Sequence, residues 1–206
     1  MIKANNVVKS FDNVAIINDF NLQINKGDFI AITGESGSGK TTVLNLLGLL
    51  EKPDFGEIII EEKSKFSKKE VMLLQRNKFS YLFQNYALIE NETVQNNLKI
   101  SLEYQKGIDK KKKMLEAMQF VNLSSSFLNK KIYQLSGGEQ QRIAVARLWL
   151  KESDYVFADE PTGNLDNKNR DIVFDLLKKL NEMGKAIIFV THDLELAQKA
   201  QKIIKL

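Results

Sequence analysis

Gly34 to Thr42 reads GESGSGKTT, which satisfies G-x-x-x-x-G-K-[ST] in full through Gly34, Gly39, Lys40 and Thr41. Each residue type has a task at a polyphosphate. The glycines let the backbone curl until successive N–H groups face phosphate oxygens, Lys40 brings a point charge to the outer phosphates, and the Thr41 hydroxyl is a ligand for magnesium. A second candidate anion site lies in YQLSGGEQQRIAVARLWL, Tyr133 to Leu150. There Ser136 can cap a helix while Gly137 and Gly138 leave the first N–H groups open. One small chain therefore carries two phosphate sites where one nucleotide needs a single site.

Three more polar positions follow apolar runs. Asp159 and Glu160 come directly after YVFA, and a carboxylate at the end of a hydrophobic strand beside a phosphate loop is placed to hold magnesium. Glu160, turned by Pro161, is the better candidate for polarising an attacking water. His192 stands in THD after AIIFV, and Gln84 closes FSYLF, where a neutral amide can reach a metal or a water. Including the phosphate loop after FIAIT, four strand ends carry groups suited to one magnesium nucleotide. Ligands in open parallel sheets sit at the carboxyl ends of strands.

The elements that position these residues are legible from patterning. FIAIT (Phe29 to Thr33), FSYLF (Phe79 to Phe83), YVFA (Tyr155 to Ala158) and AIIFV (Ala186 to Val190) are short, almost wholly apolar runs, as expected of strands buried on both faces. KTTVLNLLGLL and NRDIVFDLLKKLNEMG repeat apolar residues at three and four, with Gly184 as a stop signal. This alternation predicts an α/β sheet with covering helices. IKANNVVKSF, FNLQI and GEIII alternate more loosely around turn residues and predict a small antiparallel sheet beside the main one. Between Tyr86 and Leu150 strand signals vanish and helical patterns dominate, which reads as a helical insertion at about 86–150.

Composition narrows the class. With 206 residues, 43% hydrophobic and 27% charged, the chain can bury a full core and is one domain or one domain with an insertion. It has no cysteine, so a disulfide framework and thiolate metal sites are excluded, and His192 as the sole histidine leaves no zinc site. No apolar run approaches the roughly 18 residues that span a bilayer, and MIKANNVVKS has no signal-peptide core, so a cytoplasmic location is expected. The net charge of +4 does not mark a nucleic-acid partner. The densest lysine run, DKKKKMLEAMQF, continues into Met114, Leu115, Met118 and Val121 at helical spacing, which places the lysines on a solvated face.

The order GESGSGKT, FQN, LSGGEQQR, YVFADEPTGNLD and VTHD resembles the ATP-binding-cassette ATPases over essentially the whole chain. The resemblance implies an α/β P-loop NTPase fold: a parallel RecA-like sheet, an N-terminal antiparallel β-subdomain and an inserted helical subdomain. It implies ATP and magnesium as ligands, with the whole loop Gly34, Glu35, Ser36, Gly37, Ser38, Gly39, Lys40, Thr41 and Thr42 around the phosphates. Thr41, Gln84 and Asp159 then serve the magnesium, Glu160 is the catalytic carboxylate and His192 contacts the γ-phosphate. Phe11 matches the aromatic that stacks on adenine, and Asp166 ends the loop linking two sites. In this family two subunits pair head to tail, so Ser136, Gly137 and Gly138 are expected to complete the partner's ATP site. Two different half-sites per chain, closed by a twofold axis, give two whole sites per dimer.

DEPTGNLD, LNLLGLLEKPDFGEI and LFQNYALIENETVQNNL resemble the group of lipoprotein-releasing and macrolide-exporter ATPases, most closely the lactococcin-type bacteriocin-export ATPases. The chain departs from the wider group at Glu90, where proline is common. The resemblance implies a homodimer on the inner face of the cell membrane, joined to a separate integral membrane permease through residues near Asn85 to Val94 and the helical insertion. Two alternatives share the motifs: a signalling cassette that drives a membrane regulator of cell-wall hydrolases, and a soluble chromosome or translation factor. The last is disfavoured by the absence of a long coiled coil or a second cassette.

Overall fold

The computed structural model describes residues 1–12 and 14–206. In chain order the elements are β1 (Ile2–Phe11), β2 (Val14–Ile24), β3 (Phe29–Thr33), α1 (Lys40–Leu47), β4 (Phe55–Ile60), α2 (Lys68–Asn77), β5 (Phe79–Leu82), α3 (Val94–Ser101), α4 (Lys110–Phe120), α5 (Gly137–Leu150), β6 (Tyr155–Asp159), α6 (Asn167–Glu182), β7 (Ala186–Val190), α7 (Leu194–Ala197) and β8 (Lys202–Lys205). They form a parallel five-stranded sheet in the order β5-β6-β7-β3-β8 and an antiparallel sheet in the order β2-β1-β4.

Every residue of β3 and β7 is buried, because the parallel sheet is covered on both faces. Side-chain alternation divides those residues between two cores. Phe29, Ala31, Ile187 and Phe189 face a core shared with α3, α4, α5 and α6. Ile30, Ile32, Ile188 and Val190 face a second core shared with α1 and the antiparallel sheet. The sheet is thus clamped between a helical layer and a mixed layer, and its polar strand ends emerge at one edge of that sandwich.

The lysine run behaves as a solvated helix start. Asp109 caps α4, accepting from Lys112 N at 3.0 Å, and Met114, Ala117 and Met118 are the buried residues of that helix. Several boundaries differ from the sequence reading. β5 ends at Leu82, so Phe83 and Gln84 lie in the turn beyond it, whereas β6 extends one residue to include Asp159. α1 stops at Leu47 because Gly48 takes the cap, with its N–H on Leu44 O at 3.0 Å. β8 was not anticipated: KIIK is a four-residue edge strand in which Ile203 is exposed, so it lacks the apolar run of its neighbours. α2 was not anticipated either, and none of its residues is buried.

Candidate active site

The segment between β3 and α1 wraps the N-terminus of α1. Gly39 occupies the cap position at φ 90°, without a side-chain cap, and a Cβ there would lie 2.6 Å from Ile17 and 2.7 Å from Ile16. Gly37, at φ 81°, has open space where a Cβ would stand. Left-handed backbone at two positions is what glycine supplies cheaply, and it leaves a concave run of N–H groups at a helix N-terminus. Lys40 Nζ donates to Gly34 O at 3.1 Å and to Glu35 O at 2.7 Å, so the cation is folded over its own loop.

Thr41 Oγ1 donates to Asp159 Oδ1 at 3.1 Å and Oδ2 at 3.0 Å. This brings a hydroxyl and a carboxylate from opposite ends of the chain onto one point, and hard oxygen donors of this kind suit magnesium, which keeps several waters and takes substrate phosphates for the rest. Burial pushes the Asp159 carboxyl above its ordinary pKa, opposed by the Thr41 hydroxyl and the Lys40 charge. A cation at this point would relieve that burial penalty.

Glu160 stands at φ 44°, a left-handed conformation that costs a non-glycine residue roughly 1–2 kcal/mol. Its N–H is tied to Val190 O at 3.1 Å, and Gly163 N donates back to Glu160 O at 3.2 Å. The strained residue aims its carboxylate at His192, with Nδ1 and Oε1 3.0 Å apart. Glu160 Oε2 is buried without a hydrogen-bond partner, an acceptor held ready for a proton donor. His192 itself is exposed, its side chain 70% accessible.

These groups share a cleft of about 570 Å³. Of the positions singled out from the sequence, Phe11, Ser36, Gly37, Gly39, Lys40, Thr41, Thr42, Gln84, Asp159, Glu160 and His192 line it. Gly34, Glu35 and Ser38 belong to the same loop but do not line the cleft. A Cβ on Gly34 would meet Ser38 Oγ at 2.6 Å, and Ser38 Oγ is buried without a partner. Phe11, at the end of β1, lines the cleft with 46% of its surface exposed, and Lys9 Nζ lies 5.4 Å from its ring centroid. Sequence reasoning missed Ile16, Gly163, Asn164 and Val190 as lining residues. Asn164 and Gly163 stood in TGNLD and were open to detection; Ile16 carried no signal.

Ser136, Gly137, Gly138 and Asp166 are not part of this cleft. Ser136 caps α5: its hydroxyl accepts from Glu139 N at 3.4 Å and donates to Glu139 Oε2 at 2.8 Å, and Glu139 Oε2 accepts from Ser136 N at 2.8 Å. Burial pushes the Glu139 carboxyl up, but the backbone N–H and hydroxyl of Ser136 outweigh it and hold the pKa below its ordinary value. Asp166 caps α6, accepting from Asn169 N at 2.9 Å and Asn169 Nδ2 at 2.7 Å. Asn169 also fills the space in front of Gly138, so the two caps form one continuous surface. Gln141 of α5 is 1% exposed and donates to Pro161 O, the residue after Glu160.

Residues 17–163 match the sequence profile of the family described as ABC transporter. The chain is 38% identical over 218 residues to the ABC transporter ATP-binding protein MJ0796 of Methanocaldococcus jannaschii, covering 100% of this chain and 93% of that one. It is 36% identical over 213 residues to the macrolide export ATP-binding/permease protein MacB of Campylobacter jejuni, covering 100% of this chain but 33% of the relative. The chain thus spans about a third of the length of the macrolide export proteins it matches. A solved dimeric structure of the MJ0796 cassette superposes with a TM-score of 0.90 over 100% of this chain and 94% of that one, at 38% identity. A second, dimeric and described as a post-hydrolysis state bound to ADP and Pi, gives 0.90 over the same shares at 37% identity.

Proposed function

This chain belongs to the ABC transporter family and is an ATP-binding, ATP-hydrolysing subunit, and on that premise we propose that it works as one of two identical cassettes driving a separate membrane permease that exports a peptide or bacteriocin. Adenine stacks on Phe11, and the loop from Gly34 to Thr42, with Glu35, Ser36, Gly37, Ser38 and Gly39 between, cradles the phosphates. Lys40 leaves the Gly34 and Glu35 carbonyls for the outer phosphates. Magnesium, when bound, neutralises charge on the phosphate oxygens, and Thr41, Gln84 and Asp159 are the residues that hold it. Glu160 takes the proton of the attacking water through its free oxygen, and His192 contacts the γ-phosphate from the other side of the carboxylate.

The second half-site belongs to the partner. Ser136, Gly137 and Gly138 lie outside the chain's own cleft at the N-terminus of α5, and Asp166 lies beside them through Asn169. A head-to-tail dimer places them over the partner's nucleotide, which answers why one chain carries two phosphate sites. ATP closes the pair and hydrolysis opens it. The 86–150 segment forms the helical insertion of a single nucleotide-binding domain, and together with residues near Asn85 to Val94 it docks the permease on the inner face of the membrane. Among the described residues no helix is long and apolar enough to cross a membrane.

The observation that carries this reading is the meeting of Thr41, Asp159, Glu160 and His192 in one cleft, with the Ser136 cap outside it. The test is recovery of tagged Glu160→Gln protein from detergent-solubilised native membranes in the presence of ATP. An integral membrane protein with a secreted peptide is the expected catch. A cell-wall hydrolase in place of the peptide would replace export by signalling, and recovery of ribosomal or DNA-associated proteins alone would overturn both.

A further inference from the structure

We propose that Arg170 is a positioning residue for hydrolysis, holding the seat of His192 through Asp193 and so making that seat depend on the first turn of α6. The inference rests on the proposed role of the His192 and Glu160 pair. His192 is exposed, and no residue other than Glu160 makes a hydrogen bond to its ring among the described residues. Its place is therefore set by its two chain neighbours. Thr191 is fixed from the sheet: it is 1% exposed, its N–H donates to Ile32 O at 3.1 Å, and its hydroxyl accepts from Asp193 N at 3.0 Å.

Asp193 is fixed from the other side. One carboxylate oxygen caps α7, accepting from Glu195 N at 2.9 Å and Leu196 N at 3.1 Å. The other accepts from Arg170 Nη1 at 3.2 Å. α7 is only four residues long, so a cap that small depends on outside support. Arg170 supplies it from a side chain that is itself 20% accessible and braced by Asp171 at 3.1 Å and Glu195 at 3.5 Å. A planar guanidinium engaged with three carboxylates loses little freedom in holding one of them still.

The backbone N–H of Arg170 donates to Asp166 O at 2.8 Å, which places it in the turn that Asp166 caps. The line therefore runs from Asp166 through the first turn of α6 to Arg170, then Asp193, His192 and Glu160. Its first member is the residue assigned to the partner-facing surface, and its last is the carboxylate assigned to the water. A shift of α6 on pairing would reach the reacting atoms by this route without any contact between Arg170 and the nucleotide.

The test uses Arg170→Gln, Asp193→Asn, their double variant and Arg170→Lys in the full chain. Asp193→Asn keeps an oxygen to cap α7 and removes the ion pair, so it reads the contact even where Arg170→Gln folds poorly. Each single variant is expected to lower kcat between about 5- and 100-fold, the range that misplacing a reacting group produces, with KM for magnesium ATP within twofold. The double variant is expected to be no worse than the poorer single one, and Arg170→Lys to recover part of the loss. His192 is the only histidine, so its ring resonances in an untagged protein need no assignment. They are expected to move in Arg170→Gln and Asp193→Asn and to stay in Lys179→Gln, a charge change at the far end of α6. Wild-type kcat in both single variants, additive losses in the double, or unmoved His192 resonances would overturn the inference. His192→Ala and Glu160→Gln separate the two readings: if these also retain turnover, the proposed function of the site fails, and if only they lose it, the Arg170 link fails alone.

Discussion

Gly137 and Gly138 open α5 side by side, yet their surroundings predict opposite responses to the same added methyl group. A Cβ on Gly138 would stand 2.5 Å from Cγ and Oδ1 of Asn169 and 2.9 Å from its Nδ2, closer than real Cβ contacts come. Asn169 is not free to swing away, because its N–H and its amide are both committed to Asp166. Overpacking of this kind costs about 1–3 kcal/mol, and the better helix propensity of alanine returns about 0.5–1 kcal/mol, leaving Gly138→Ala destabilised by up to about 2.5 kcal/mol. For a chain of this size that lowers Tm by up to about 10 °C. A Cβ on Gly137 would meet only the Tyr86 hydroxyl, at an ordinary 3.5 Å. The propensity gain then stands alone, and Tm rises by about 1–4 °C. Calorimetry of both variants without nucleotide, at one protein concentration, measures the contrast. ATPase activity is expected to fall in both, since both crowd the surface assigned to the partner's phosphates, so Gly137→Ala separates stability from turnover. Equal loss of Tm in the two variants would refute the packing argument.

Three further outcomes follow from single residues. Glu160→Gln keeps shape and loses the proton acceptor, so turnover falls about 10²–10⁴-fold while filter binding of ATP persists; a variant that keeps most of its turnover moves the base elsewhere. Phe11→Ala weakens ATP by about 1–3 kcal/mol through lost stacking, roughly 5- to 150-fold, and leaves the affinity for inorganic tripolyphosphate unchanged; equal weakening of both would mean that Phe11 only shapes the loop. Burial, and then the Arg147 charge, push the Lys151 ammonium down to about 8 from 10.5. Between those values the unfolded chain binds more protons than the folded one, so this group adds stability as pH rises. In urea unfolding, the stability of wild type relative to Lys151→Gln should rise from about pH 8 to about pH 10.5, and a constant difference would count against the assignment.

The strand-end residues were legible because burial on both faces keeps β3, β6 and β7 apolar up to their last residues, so the polar residues that close or follow each strand stand out against the run before them. Asp159 stands out by that contrast, and His192 follows β7 one residue later, after the buried Thr191. Gln84 was less well placed, since the turn begins one residue after Leu82 and no local signal separates Phe83 from the strand. Edge elements escaped for the opposite reason. β8 and α2 bury little, so their patterns carry little of the contrast on which the reading depends. Contacts such as Arg170 with Asp193 or Asn169 with Gly138 are specific to the tertiary arrangement, and neither partner's residue type announces the other.

The buried amide of Gln141 bears on how the two half-sites act together. Its nitrogen donates to Pro161 O, while its oxygen is buried and unpartnered. An unpaired buried acceptor costs about 1–3 kcal/mol, a penalty that an apolar residue at this place in α5 would avoid. What the amide provides instead is a fixed register between α5 and the residue next to Glu160. Asn169 gives a second fixed point between Gly138 and Asp166. A rigid-body shift of α5 therefore displaces the segment that follows the carboxylate, and a shift of α6 displaces the His192 seat. On the proposed reading, engagement of the Ser136 half-site by a partner's nucleotide is felt at the chain's own Glu160 and His192, so each site reports on the other through two short contacts. Loss of the Gln141 contact should then leave nucleotide binding intact while loosening the dependence of turnover on pairing.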